Sequence, residues 1–472
     1  MEKSPHRKVI AQTDFRKRWQ RIQSAPQGAQ CRRDNANRLW LWAGWDGVRS
    51  SFSENAGNLS PCAQASASPV IDWTYSLLGD LNRLIFNTFS YYLLFLVPSA
   101  ALYRLVPGWL RPWIIVFFGS GFFLYFAYGM AGFWGALCLF IFIWESLVSR
   151  LYRPSSRWCM LGIVQSVLLL GVFKYWNFFT GLIFAHGANP VRWQGAFLPL
   201  GISFFTFEFY HYAWDRRAGK TEAGTLGEYL AFILFFPTMV AGPIKRYQDF
   251  LPKLRAKPVG WSQDWERGTT RILTGLVKKF AVADLLTAWT DHLNAHDILL
   301  ADRRILPFWA LAYGIKIYAD FSGYSDIAIG SARLFGIRVP ENFNWPYGRR
   351  NIQRFWQCWH ISLTRWLMDY VYIPLGGSRV SSPRIYANII AVMLVSGLWH
   401  GAGLNFIVWG LWHGLLLAGH RLWRKLRGEP SNHPAAVFLS RVLTFVLVNA
   451  AWPFFCMDLH TAILFYRRLL VG

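Results

Sequence analysis

A succession of long apolar runs, separated by short basic connections, governs what this chain can fold into. The runs fall at about residues 85–106, 112–128, 130–149, 158–179, 194–214, 228–244, 270–290, 305–320, 386–419 and 436–456. A helix of about 20 residues spans the hydrocarbon core of a bilayer. The run at 386–419 is long enough for two passes, or for one pass and a re-entrant piece. The pattern therefore predicts an all-α polytopic membrane protein with about ten or eleven transmembrane segments. Charged residues make up 16% of the chain and apolar ones 54%, against about a quarter charged in soluble proteins. That balance argues against a soluble globular enzyme and excludes a disordered chain. The 26 Trp and 38 Phe suit the aromatic belts of a membrane protein.

The formal net charge is +24, from 49 Lys and Arg against 25 Asp and Glu. Such an excess can signal nucleic-acid binding. Here the basic residues lie between apolar runs, which is the arrangement that orients a polytopic protein, so lipids and not nucleic acid are the expected contact. The connections 245–268 and 338–384, each rich in Lys and Arg, are expected on the cytoplasmic side. No internal repeat is evident, which counts against a transporter built from inverted repeats. Cysteines stand at 31, 62, 138, 159, 358 and 456, with neither disulfide nor metal-ligand spacing.

Residues 1–83 read differently. They hold basic clusters (Arg16-Lys17-Arg18, Arg32-Arg33), a Ser/Ala/Asn-rich tract over 50–68, and no apolar core of a cleavable signal peptide. A weakly ordered cytoplasmic leader is expected, with one apolar patch at Leu39-Trp40-Leu41-Trp42 suited to a membrane surface. The alternative is a start assigned too far upstream. Residues 84–472 form the membrane domain.

Asn351 to Tyr370 gives a clear helical wheel. Ile352, Phe355, Trp356, Trp359, Leu363, Trp366, Leu367 and Tyr370 share one arc, and Gln353, Arg354, Gln357, Thr364, Arg365 and Asp369 face the other way. Ile361 and Met368 break the pattern. The segment predicts an amphipathic helix in the membrane interface. His360 falls at the edge of the apolar arc, either as an interfacial side chain bonded to a neighbour or as an inward-reaching functional group.

His400 follows about a dozen apolar residues, so it is expected well inside the membrane, where ionisable groups usually face a cavity. Gly397, Gly401 and Gly403 leave room beside it. A neutral imidazole in that setting is suited to act as a base. His413 and His420 share a helix face, a weak pattern for a metal or haem pair, and no metal is expected. Asp320 and Asp326 close an apolar run in Tyr318-Ala319-Asp320-Phe321-Ser322-Gly323-Tyr324-Ser325-Asp326. They either line a polar cavity or sit in a solvated loop with basic partners. Glu145 and Glu208 interrupt apolar runs and are expected to point into the bundle. Walker loops, His-Glu-x-x-His and Gly-x-Ser-x-Gly motifs do not occur.

Six stretches carry a family resemblance: 198–207, 235–246, 275–286, 320–347, 355–379 and 396–414. In this order they resemble the membrane-bound O-acyltransferase (MBOAT) family, over the chain from about Leu84 onward. The ending Ile373-Pro374-Leu375-Gly376-Gly377-Ser378-Arg379 is similar to the branch serving O-acetylation of alginate and other bacterial exopolysaccharides. The resemblance implies a helical bundle with interfacial or re-entrant helices and a central tunnel, in the bacterial inner membrane. It implies that His400 of Trp-His-Gly is catalytic and that His360 of Trp-His-Ile-Ser is the second functional histidine. Gln357, Cys358 and Met368 stand where the family often has basic residues.

The chemistry that the resemblance implies is transfer of an acyl group from a thioester, acetyl-CoA, which is a co-substrate and not a bound cofactor. The acceptor hydroxyl would belong to a periplasmic SGNH-type acetyltransferase, another acyl-accepting protein or a glycan, within a polysaccharide synthesis and export complex. His400 would act as base or form an acyl-histidine, with Trp399, Asn405 or His360 donating to the oxyanion. Asp320, Tyr324 and Ser325 would line the substrate path. Two other readings stand beside it: D-alanyl transfer to teichoic acid, and a non-enzymatic transporter of an acyl carrier, lipid or glycan.

Overall fold

The computed structural model describes residues 88–127, 132–184, 200–258, 260–428 and 431–471. The expected leader at 1–83, with its patch at Leu39–Trp42, lies outside the described residues. Every regular element among the described residues is helical. A π-turn over Tyr91–Leu96 leads into α1 (Val97–Leu105), followed by α2 (Arg111–Ala127) and α3 (Gly132–Ser149). Next come α4 (Arg157–Leu170), a π-turn over Gly171–Tyr175, α5 (Trp176–Ile183) and α6 (Ile202–Arg217). The apolar run at 228–244 does not make one helix. It yields α7 (Leu226–Ile233) and the single turn α8 (Phe236–Met239). Pro237 and Pro243 supply no N–H, and Gly242 packs so closely on Thr238 that a Cβ would lie 2.5 Å from its Cα.

After α9 (Tyr247–Arg255), α10 (Trp261–Val277) runs into a π-turn over Lys278–Ala283, then α11 (Thr287–Thr290), α12 (Ala295–Leu300) and the 29-residue α13 (Leu306–Leu334). The residues Tyr318–Asp326 therefore lie mid-helix and not in a loop. The charges that end the apolar run are satisfied by neighbours. Asp326 is buried and takes Arg271 Nε and Lys278 Nζ, each at 2.6 Å. Asp320, half exposed, pairs with Lys279 at 2.8 Å. A seam of glycines lets α10 and α13 touch backbone to backbone. A Cβ on Gly323 would come within 2.7 Å of the Gly275 carbonyl oxygen, and one on Gly268 within 2.9 Å of that of Gly330.

The segment at 351–370 is broken where one amphipathic helix is expected. It gives α14 (Ile352–Trp356), a break, α15 (Ile361–Leu367) and a π-turn over Met368–Tyr372. The break is stitched to the preceding loop: Ile361 N–H donates to the Asn342 carbonyl at 2.9 Å and Asn344 N–H to that of Cys358 at 3.0 Å. Even so, all eight residues of the expected apolar arc are buried, and Met368 is exposed as its position predicts. The run at 386–419 resolves into two helices, α16 (Ser382–His400) and α17 (Leu404–Arg427). They meet along Gly397, Gly410 and Gly414, whose missing Cβ atoms leave room for Phe406, Met393 and Ile390. The chain closes with α18 (Pro434–Asn449), α19 (Trp452–Cys456) and α20 (Leu459–Leu470).

Two helical stretches among the described residues are long and apolar enough to cross a bilayer, Arg157–Ile183 and Pro434–Cys456, with shorter apolar helices at Tyr91–Leu105, Arg111–Phe126 and Leu137–Ser149. This is fewer clear spans than the hydropathy pattern predicts. The other apolar runs are divided by breaks or carry charged side chains within them, as α13 does with Lys316, Asp320 and Asp326. Glu145 and Glu208 point into the bundle as expected. Glu145 accepts from Tyr152 Oη at 2.9 Å and Gln165 Nε2 at 2.8 Å, and Glu208 pairs with Lys245 at 2.5 Å.

Candidate active site

His400 is the last residue of α16, and the Gly401-Ala402-Gly403 turn follows it at once. It is at the tip of a helical hairpin, not partway along a helix. The tip is nevertheless partly covered by protein, because rings close around the imidazole. Trp399 and Phe455 each lie 4.9 Å from it between centroids, and Trp409 lies 5.2 Å away. The last carbonyls of a helix lack intrahelical partners, and here the π-turn at 171–175 supplies them. Tyr175 Oη donates to Leu398 O at 2.6 Å, and Lys174 Nζ donates to Trp399 O and reaches His400 O at 3.4 Å.

His360 lies in the break between α14 and α15. Its φ of 40° and ψ of 55° place it in the left-handed region, a conformation that costs a non-glycine residue about 1–3 kcal/mol and that concentrates at functional sites. The backbone there is held by Asn342, which is fully buried. Asn342 Oδ1 accepts from Ser362 N–H at 3.3 Å, from Ser362 Oγ at 2.8 Å and from His360 Nδ1 at 3.1 Å. The Ser362 N–H can only donate, so it fixes which end of the amide is oxygen. His360 must then carry its proton on Nδ1, and Nε2 bears a lone pair. That Nε2 is buried with no hydrogen-bond partner among the described residues.

This corrects one expected role. A neutral His360 with this tautomer offers an acceptor, so it cannot donate to an oxyanion through Nε2. Trp399 remains suited to that task. Its indole Nε1 is buried and unpartnered among the described residues, and its ring touches both histidines, 6.0 Å from His360 and 4.9 Å from His400. Trp399 is itself fixed by stacking on Phe207 at 5.3 Å. The Asn405 amide donates to the Phe454 carbonyl at 3.1 Å, which ties the first turn of α17 to α19.

Among the remaining expected residues, Ser325 joins the site indirectly, accepting from Asn342 Nδ2 at 3.2 Å. Tyr324, one position away on α13, packs on the separate aromatic core around Tyr91 and Phe122. Asp320 is engaged with Lys279 and has no link to either histidine through a hydrogen bond. His413 is buried 4.8 Å from Trp409 and 5.0 Å from Trp356. No group of three or more His, Cys, Asp or Glu among the described residues could hold a metal ion.

Beside His360 opens a cleft of about 1040 Å³ whose wall includes Gln357, Cys358, Ile361 and Thr364. Arg349, Arg350, Arg354, Arg365 and Arg441 line it, against the single carboxylate of Asp369, which Arg246 already pairs. The positive charge is present although Gln357, Cys358 and Met368 are not basic. Arg349 and Arg441 bring it from outside the helix where the family pattern places it. Asn342, Lys174 and Tyr175 were not singled out by the sequence. Lys174 left a signal, a lone charge in the apolar run 158–179. Asn342 left none, since it is one polar residue among several in a connecting loop.

The profile of the MBOAT, membrane-bound O-acyltransferase family, matches residues 214–457. The probable alginate O-acetylase AlgI of Azotobacter vinelandii is 36% identical over 383 residues, covering 79% of this chain and 75% of that protein. Its counterpart from Pseudomonas aeruginosa is 40% identical over 310 residues, 64% of this chain and 58% of that protein. The teichoic acid D-alanyltransferase of Bacillus subtilis is 30% identical over 339 residues, 66% of this chain and 82% of that protein.

Proposed function

The chain belongs to the membrane-bound O-acyltransferase family, and from that premise we propose that it passes an acetyl group from a cytoplasmic thioester, acetyl-CoA, across the bacterial inner membrane for O-acetylation of an exported polysaccharide such as alginate. The observation that carries this reading is that His360 and His400 pack on one indole, Trp399, next to a cleft lined by five arginines. The cleft suits the phosphates of the donor, since guanidinium groups match phosphate geometry. Its wall includes Cys358 and Ile361, on either side of His360 in the sequence, which places the proposed donor site next to the segment that carries the histidine.

In the proposed reaction His400 removes the proton of the acceptor hydroxyl as its oxygen attacks the thioester carbonyl. The Trp399 indole N–H donates to the oxyanion of the tetrahedral intermediate. Collapse expels the thiolate, which takes the proton from His400, so the products are an O-acetyl ester and free CoA thiol. The one proton of the attacking hydroxyl goes to His400, so His360 Nε2 accepts instead from another donor of the substrates, such as an amide N–H of the CoA arm. Enclosure of the site by Trp409 and Phe455 limits hydrolysis of the thioester. The immediate acceptor is proposed to be a periplasmic SGNH-type acetyltransferase or a similar acyl-accepting protein, working with a polysaccharide synthesis and export complex. The basic connections 245–268 and 338–384 then face the cytoplasm in a multi-pass arrangement.

The test is His400→Ala at matched membrane abundance, with label from radioactive acetyl-CoA followed into the polysaccharide fraction. A general base contributes about 10²–10⁴-fold, so transfer should fall by that factor, and His360→Ala should impair it too. Wild-type transfer by His400→Ala would sink the mechanism. D-alanyl transfer is the second reading, favoured by the Bacillus subtilis match over 82% of that protein. Transfer from a D-alanyl-loaded carrier, without use of acetyl-CoA, would select it.

A further inference from the structure

Lys174 lies within Arg157–Ile183, one of the two stretches apolar and long enough to cross a membrane. An ammonium at such a position is expensive and needs a stated partner. Among the described residues no carboxylate comes within ion-pair distance of it. Its neighbours are the carbonyls of Trp399 and His400, the Ser203 hydroxyl at 3.4 Å, and the Trp399 ring at 5.5 Å. The partial negative charge at a helix C-terminus is worth about half an elementary charge, and the terminal turn of α16 is thus the counter-charge of Lys174.

The placement depends on the π-turn at Gly171–Tyr175. Such a turn inserts one residue into a helix, which rotates the remainder of that helix by about 100°. Lys174 and Tyr175 thereby face α16 together and take consecutive carbonyls, Leu398, Trp399 and His400. Two side chains bracketing one turn fix its backbone, and His400 has no further helical residue after it to do so.

We infer that Lys174 is a positioning residue for the acyl transfer, holding the last turn of α16 so that the His400 imidazole meets the acceptor hydroxyl. This rests on the proposed role of His400. A misplacement of about 1 Å can cost about 10²-fold in rate, which sets the scale expected.

The experiment compares Lys174→Met, Lys174→Arg and His400→Ala in inverted membrane vesicles, at matched abundance, with kcat and KM measured for radiolabelled acetyl-CoA. Lys174→Met should lower kcat about tenfold to a hundredfold and leave KM unchanged, while Lys174→Arg, which retains a cation for the carbonyls, should recover most of the rate. A Lys174→Met enzyme with wild-type kcat beside an inactive His400→Ala overturns this inference alone. An active His400→Ala overturns the functional reading and this inference with it. Should Lys174→Met not insert, Lys174→Gln, which is polar but lacks the charge and is too short to bring a donor to the same carbonyls, carries the same readout. Failure of all the Lys174 variants to insert would assign the residue to folding and overturn the positioning role.

Discussion

His360 Nδ1 donates to the side-chain oxygen of Asn342 at 3.1 Å, and because the Ser362 N–H fixes that atom as oxygen, the contact determines which nitrogen of the neutral ring is free. It also explains why a residue with positive φ is tolerated in a buried break between two helices. Asn342 binds Ser362 through both backbone and hydroxyl, so the turn on either side of His360 is held from one point.

Asn342→Leu should therefore lower acetyl transfer strongly, by about 10²-fold if the imidazole shifts by an ångström. It removes the acceptor for three donors, and leaving buried donors unmade costs about 1–3 kcal/mol each, so stability in detergent should fall as well. Asn342→Asp retains an acceptor oxygen for Nδ1–H and should keep far more activity than Asn342→Leu. Equal rates for the two variants at matched abundance would refute the tautomer assignment.

The arginine cleft makes a prediction of a different kind. Arg365 and Arg441 line it without a hydrogen bond or ion pair to protein among the described residues, so their charges are available to a ligand. A hydrogen bond to a charged group is worth about 1.5–3 kcal/mol, and about 1.4 kcal/mol is tenfold in affinity. The double variant Arg365→Gln/Arg441→Gln should raise KM for acetyl-CoA at least about tenfold with little change in kcat. Added salt should raise the wild-type KM as well, since these groups face water. A fall in kcat at constant KM would place the donor elsewhere.

Much of this arrangement was legible in the sequence, for reasons that also mark the limits. Apolar runs predicted helices, and the wheel over 351–370 named the buried side chains even though the helix is broken. Burial follows side-chain periodicity, and that survives a short interruption. The break itself depends on hydrogen bonds from Asn342, and no local pattern encodes them. Likewise Asp320 and Asp326 read as a loop or cavity, because the cations that satisfy them, Lys279, Arg271 and Lys278, lie about forty to fifty-five positions earlier on another element. His360, His400 and Trp399 were recognisable by motif. Their shared packing on one ring was not, since α15 and α16 meet only in three dimensions.

Orientation can be checked by chemistry. In a cysteine-free background, single cysteines placed in 245–268 or 338–384 should resist a membrane-impermeant thiol reagent added outside intact cells, and react after the membrane is opened. Lys and Arg in short connections set orientation toward the cytoplasm. Strong labelling of either connection in intact cells would invert the arrangement and put the arginine cleft on the wrong side for a cytoplasmic donor.

The glycine seam between α10 and α13 offers a test of the fold separate from the site. A Cβ on Gly323 would sit 2.7 Å from the Gly275 carbonyl oxygen and 3.1 Å from Lys278 Cβ, and the neighbouring backbone cannot swing aside as a flexible side chain would. Inserting atoms into a packed contact costs typically about 1–3 kcal/mol. Gly323→Ala should therefore lower the thermal unfolding midpoint in detergent by several degrees, and Gly275→Leu should lower it further. Gly171 provides the contrast, because nothing lies within 4 Å of where its Cβ would be. Gly171→Ala should leave the midpoint near the wild-type value. Both α10 and α13 carry partners of one ion pair, Arg271 on the first and the Asp326 carboxylate on the second, so forcing the helices apart should also weaken that pair. Adding Asp326→Asn to Gly323→Ala should then cost less than the sum of the two single changes. Strictly additive effects would mean that the seam and the ion pair hold the two helices independently.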